Sequence, residues 1–125
     1  MTGIGSAALH WEALIQEAKR RLQALLSCDT KNPPGNEKLA AAYIREQQVA
    51  EGIEPLLIVP SPGRIHVGGC LPGSCFEWPL LLVSHTDVLP VERDQWHVDP
   101  LGGEEREGSI YGQAALDRKV CWQWS

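Results

Sequence analysis

One stretch constrains this chain more than any other: Leu80-Leu81-Leu82-Val83-Ser84-His85-Thr86-Asp87, an apolar run that ends in a His-x-Asp triplet. Four uncharged, branched side chains in succession predict a strand over about Pro79–Ser84, buried on both faces in the middle of a parallel or mixed sheet. Groups able to do chemistry then stand where the strand runs out, the end at which open α/β sheets hold their ligands. On extended backbone His85 and Asp87 point to the same side. A carboxylate beside an imidazole fixes its tautomer and raises its basicity as a metal ligand. Short motifs also match by chance, and a strand-end histidine followed by a turn or capping aspartate is the competing reading.

The flanking sequence predicts an α/β arrangement around that strand. From about Ser6 to Cys28, Leu9, Ile15, Ala18, Leu22, Leu25 and Leu26 fall near one face of a helix. Glu12, Gln16, Lys19, Arg20 and Gln23 occupy the other. Pro33-Pro34 forbids continuation and Gly35 permits a turn. Asn36 is placed to cap a second helix over about Glu37–Glu51, with Leu39, Tyr43 and Ile44 inward and Gly52 ending it. Pro55–Val59 and Arg64–Val67 read as strands, and His66 as a surface strand histidine. Gly102–Gly108 has the polar, glycine-rich character of a hairpin loop leading to a short strand at Ser109–Gly112. Trp96, His97 and Asp99 read as anchors of a loop, and Glu104-Glu105 as a solvated charge run.

Composition narrows the function classes. A net charge of −5 with no stripe of Lys and Arg argues against a nucleic-acid partner. No apolar stretch approaches the ~20 residues that cross a bilayer, so a membrane partner is not expected. The first residues, Met1 to Glu12, show neither a basic leader nor a continuous apolar region, which predicts a cytoplasmic rather than an exported protein. Cys28, Cys70, Cys75 and Cys121 form no C-x-x-C pair and read as reduced thiols, although the turn between Cys70 and Cys75 could bring those two close.

Five segments then stand in one order: Asp-Thr-x-Asn-Pro-Pro-Gly-Asn-Glu at 29–37, Leu-Leu-Val-Ser-His-Thr-Asp-Val-Leu-Pro-Val at 81–91, Trp-His-Val-Asp-Pro-Leu at 96–101, Gly-Ser-Ile-Tyr-Gly at 108–112 and Ala-Leu-Asp-Arg-Lys at 115–119. Together they resemble the N-terminal part of the aminoacylase, acetylornithine deacetylase, succinyl-diaminopimelate desuccinylase and carboxypeptidase G family of dinuclear zinc hydrolases. The resemblance covers about residues 28 to 119. It implies a three-layer α/β catalytic domain with a mixed sheet, of which residues 1–125 would be the N-terminal portion without the smaller dimerisation domain. Full-length relatives are often homodimers. The implied reaction is metal-dependent hydrolysis of an amide bond in a small peptide or N-acyl amino acid, with two Zn2+ per intact site and Co2+ as an alternative metal.

The resemblance also implies roles. His85 is a zinc ligand, Asp87 the catalytic-site carboxylate that orients it, and Asp117, matching the aspartate of the family's Asp-x-Lys motif, the carboxylate shared by both ions. Asp117–Arg118 is the corresponding candidate for a cis peptide bond. Read without the family, Asp117 is a helix-start residue. The family's general-base glutamate, its neighbouring glutamate ligand, a further carboxylate and a second histidine all follow the Asp-x-Lys motif, and Glu104-Glu105 precedes it. His85 and Asp117 alone fall short of the three or four protein ligands usual for a zinc ion. After Lys119 the family continues with glycine and an apolar helix, where this chain has Val120-Cys121-Trp122-Gln123-Trp124-Ser125. Back-translation with a single guanine restored after the lysine codon recovers glycine followed by apolar residues, so a frameshift is expected there, together with an inactive and poorly soluble polypeptide. A non-enzymatic product with a binding role is the alternative.

Overall fold

A computed structural model describes residues 9–74 and 78–116. The first helix, α1, spans Trp11–Leu26 and the second, α2, spans Lys38–Ala50. Glu12 sits in the first turn of α1, where the helix dipole favours an anion. At the other end Ser27 Oγ donates to the Gln23 carbonyl at 2.9 Å and closes the last turn. Burial along α1 is confined to its C-terminal half: Leu22, Leu25 and Leu26 are buried, whereas Leu9, Leu14 and Ile15 are exposed. The apolar stripe expected along the whole helix is therefore used only where α2 and the later hairpin lie against it. Helix α2 ends as expected at Gly52, which takes φ +74° while the Ile53 amide returns to the Gln48 carbonyl at 2.8 Å. Its start differs from the reading of Asn36 as a side-chain cap. Glu37 is the capping residue, and the Asn36 amide group reaches back to the Asp29 carbonyl instead.

Strands β1 (Leu56–Ser61) and β2 (Arg64–Gly68) form an antiparallel hairpin, with Gly63 at φ +84° in its turn. The register pairs Leu57 with Val67 and Ile58 with His66, then shifts before Ser61 pairs with Arg64. Pro60 lies in the shifted step, since proline has no N–H to give to a ladder. His66 is exposed, the surface strand histidine that its alternating pattern predicts. Residues Leu25, Ala40 and Ile44 form the buried cluster, and Cys28, Tyr43 and Val67 pack against it. Leu39, expected inward, is exposed, because the α2 face toward the core carries Ala40, Ala41 and Ile44. Burial pushes the Tyr43 phenol above its ordinary range.

A second hairpin joins β3 (Glu104–Arg106) to β4 (Ser109–Tyr111). Its two turn residues, Glu107 and Gly108, both have positive φ, the backbone that matches the right-handed twist of paired strands. This hairpin docks on α1 through two glycines. A Cβ at Gly112 would lie 2.9 Å from Leu26 Cδ1, and one at Gly103, itself at φ +58°, would lie 3.1 Å from the Gln23 backbone. Gln23 Nε2 donates to the Gly103 carbonyl at 2.8 Å, and Lys19 Nζ meets Glu105 at 2.6 Å. Glu104 pairs with Arg106 at 2.6 Å, so the two glutamates serve surface ion pairs, as their reading as a charge run requires.

The fold class is α/β, with helices and strands in the expected order. The expected central strand is corrected. Residues 79–84 form no strand, and Leu80 and Leu81 are 83% and 81% exposed. A strand is a property of a hydrogen-bonded pair, and no described strand runs beside this segment; an apolar run predicts burial only when a neighbour is there to cover it. Both described sheets are two-stranded and antiparallel, and the parallel pairing among the described residues is an isolated bridge between Lys31 and Val88. Among the described residues, no helix is long and apolar enough to cross a membrane. Cys28 is half-buried and Cys70 exposed, both as thiols; Cys75, Cys121 and residues 6–8 of the predicted first helix lie outside the described residues.

Two outcomes follow. Truncating the fully buried Leu26 to alanine removes the side chain that joins α1 to Gly112, and should cost about 2–5 kcal/mol in urea unfolding. The exposed run at 80–83 should drive concentration-dependent association in light scattering, and Leu81→Glu with Val83→Glu should reduce it.

Candidate metal centre

The His-x-Asp triplet is held by the segment that follows α1. The Val88 amide donates to the Thr30 carbonyl at 3.2 Å, and the Asn32 amide donates to the Val88 carbonyl at 2.8 Å. These two bonds lay 30–32 parallel to 86–88. Thr30 is completely buried, and its hydroxyl donates to the Thr86 carbonyl, inside the triplet itself. Local turn chemistry shapes the rest of the loop: Gly35, at φ +84°, returns its amide to the Lys31 carbonyl at 3.0 Å. Lys31 Nζ hydrogen-bonds Asp29 at 3.1 Å and holds that carboxyl below its usual range, on an exposed surface where the pair adds little stability.

Within the triplet His85 and Asp87 face the same side, as their spacing predicts. His85 Nδ1 lies 3.2 Å from Asp87 Oδ1 and 3.1 Å from the Asp87 carbonyl. Both partners only accept, so in the neutral ring the proton is on Nδ1 and the lone pair is on Nε2. That is how a carboxylate prepares a histidine for a metal ion. The other Asp87 oxygen, Oδ2, accepts from Asn32 Nδ2 at 3.3 Å. Asn32 Oδ1 in turn accepts from Arg64 Nη1 at 3.4 Å, and Arg64 Nη2 pairs with the buried Glu37 at 3.0 Å.

Asp117, the Asp117–Arg118 bond and the tail at 120–125 lie outside the described residues. Among the described residues, no three His, Cys, Asp or Glu side chains converge on one point. The donor set that is described, one imidazole oriented by one carboxylate, fits a metal ion as part of its ligand shell. Asp99 is a loop anchor, as expected: its carboxylate accepts from the Leu101 amide at 3.0 Å and from Arg93 at 3.4 Å. Trp96 and His97 line a separate open cleft of about 410 Å3 with Arg106 and Tyr111, and neither His85 nor Asp87 borders it. Thr30, Asn32, Glu37 and Arg64 meet at the triplet with no site role legible for them in the sequence. All but Arg64 lie in the 29–37 segment, whose polar residues on both sides of Pro33-Pro34 were the available signal.

The described geometry is one imidazole oriented by one carboxylate on an anchored loop, and comparison with known proteins says which proteins the chain is similar to. The chain is 34% identical over 101 residues to aminoacylase-1 of Sus scrofa, an alignment covering 72% of this chain and 23% of that protein. It is 49% identical over 43 residues to the N-fatty-acyl-amino acid synthase/hydrolase PM20D1 of Xenopus tropicalis, covering 34% of this chain and 8% of the relative. A probable carboxypeptidase S-like 1 of Dictyostelium discoideum is 45% identical over 53 residues, covering 36% of this chain and 11% of the relative. No protein-family profile matches the chain. The chain is homologous to aminoacylase-1, PM20D1 and carboxypeptidase S-like proteins, and spans less than a quarter of the length of these curated relatives.

Thr30→Val keeps the shape of the buried side chain and leaves the Thr86 carbonyl without its donor. It should lower stability by about 1–3 kcal/mol in chemical denaturation.

Proposed function

We propose that this chain carries the first part of a zinc centre for the hydrolysis of amide bonds in N-acyl amino acids or small peptides, in the cytoplasm. The observation that carries the reading is the His85–Asp87 contact at 3.2 Å, in which a carboxylate orients the imidazole as it does in metal-ligating histidines. Asp117, at the position of the family's shared aspartate, and His85 would hold the metal through a carboxylate and an imidazole. When bound, such metal ions acidify a water and polarise the amide carbonyl. Co2+ substitutes for Zn2+ in this reading. The names of two relatives, an aminoacylase and an N-fatty-acyl-amino acid synthase/hydrolase, support an N-acyl amino acid as the substrate class. Further ligands and the general base belong to sequence after the Asp-x-Lys motif in the family, so the 125-residue polypeptide alone binds metal without turnover. A binding role without catalysis is the second reading, favoured by the want of three convergent ligands among the described residues.

Calorimetric titration of the chain with Zn2+ and Co2+, beside an assay on N-acetyl amino acids, tests this. Uptake that weakens at least about 10-fold in His85→Ala, without turnover, is the expected result. Equal uptake by the parent, His85→Ala and Asp117→Ala would remove the metal assignment. Hydrolysis by the unmodified chain would instead show that its own residues complete a working site.

A further inference from the structure

We propose that the outer edge of β1 is a pairing surface for a second copy of this chain, joined two-fold and antiparallel so that two hairpins become one four-stranded sheet. Among the described residues β1 pairs with β2 alone, which leaves its outer row of backbone N–H and C=O groups outside any described ladder. The hairpin is anchored through β2: α2 lies against it, and Val67 packs on the buried cluster. β1 stands outside that contact, and Leu56, Leu57, Ile58 and Val59 are 62%, 43%, 54% and 60% exposed. Side chains of a strand alternate between its faces, so both faces of β1 are apolar and open. A two-stranded hairpin gains stability when further strands extend it.

The sequence of the edge says what fits it. Between Pro55 and Pro60 the window is Leu-Leu-Ile-Val, without a charged or polar side chain. Edge strands kept unpaired commonly carry a lysine or another charge in such a window. A two-fold pairing centred between Leu57 and Ile58 sets Leu56 against Val59 of the second copy and Leu57 against Ile58 of the second copy, apolar pairs of the kind that hold adjacent strands together. Glu54 then falls opposite Ser61 and not opposite another glutamate, so no like charges meet. At each end Pro55 faces Pro60; neither has an N–H to give, and the added ladder stops there. The contact is isologous: each copy covers the same edge of the other, which closes the assembly at two. The free edge of β2 is not equivalent, since Arg64 there is held by Glu37 and His66 interrupts the apolar residues. The run at 80–83 is as apolar but forms no strand, whereas β1 is already extended against β2, so pairing orders little that was free.

Sedimentation velocity of the 125-residue chain under reducing conditions tests this, with Leu81→Glu/Val83→Glu as the background so that the other exposed run is charged. At roughly 100 μM, where a Kd of micromolar order leaves little monomer, a discrete species of twice the 13.8 kDa chain mass is expected. Adding Leu57→Lys/Ile58→Lys should return the background chain to a monomer. Adding Leu57→Glu/Ile58→Glu instead should do the same, since each pair of changes sets like charges across the two-fold. Both positions are exposed, and an unchanged far-ultraviolet circular dichroism spectrum shows that each variant keeps its helices. Mixing the lysine and glutamate variants in equal amounts should re-form the two-chain species, because lysine then faces glutamate at both places. Simple loss of apolar surface is not repaired by mixing. A monomeric background chain overturns the proposal. So does a dimer that survives in both charged variants, a mixture that stays monomeric, or a series of larger species without a preferred pair. An unmodified chain that associates while the background chain stays monomeric assigns the association to Leu80–Val83 and removes β1 from it.

Discussion

Two backbone hydrogen bonds, Val88 N–H to Thr30 O and Asn32 N–H to Val88 O, join segments more than fifty positions apart, and the candidate site depends on them. Closing a flexible loop of that length has an entropic cost that grows only slowly with length, so a few well-made contacts can hold it shut. The junction supplies them in a small space. The parallel bridge aligns the backbones, the buried Thr30 hydroxyl closes on Thr86, and Val88 is itself buried. Proline at 33 and 34 removes conformational freedom from the chain immediately after Asn32 and lowers the entropy lost when that residue is ordered.

The same junction explains why polar side chains gather at this point. A buried threonine, a nearly buried glutamate and a half-buried asparagine would each be costly without partners. Here each has at least one: Thr30 reaches the Thr86 carbonyl, and Glu37 and Asn32 lie on a single path that runs through Arg64 and Asp87 to His85. Hydrogen bonds in such chains polarise one another. Gly35 belongs to this arrangement as much as the charged residues do, since any side chain there would press on the guanidinium.

Much of this was legible in residue order. Two helices, the strands at 56–61, 64–68 and 109–111 and the shared side of His85 and Asp87 follow from periodicity, from Pro and Gly positions and from the two-residue repeat of extended backbone, whereas Glu104–Arg106, read as a loop, pairs as a strand. The resemblance to aminoacylases and carboxypeptidases was legible in five short segments in register, none sufficient alone. Other features were not legible, for physical reasons. Asn36 looks like a cap because asparagine caps helices, but its side chain was drawn to the Asp29 carbonyl by a turn whose geometry only the folded loop sets. The run at 80–83 looks like a buried strand because apolar runs require cover, yet sequence does not say which partner supplies it. Arg64 looks like a strand residue of no distinction. Its role comes from Gly63 and the hairpin turn, which bring it beside Glu37 across 27 positions of chain.

The site and the apolar run before it are therefore ordered by different forces. Leu80 to Val83 are exposed and lack a described ladder partner, while Thr86 to Val88, a few residues on, are gripped by backbone and side-chain bonds from 30–32. Were the His-x-Asp pair placed by the strand preceding it, an unpaired strand would leave the pair loose. It is instead placed by the Thr-x-Asn segment, whose anchorage lies in the helix core through Leu25 and Leu26 on one side and α2 on the other. The 29–37 segment reads best as the scaffold on which the ligand pair is mounted, and the aliphatic run as surface that awaits a neighbour. The geometry of His85 can thus be set before anything covers Leu80 to Val83.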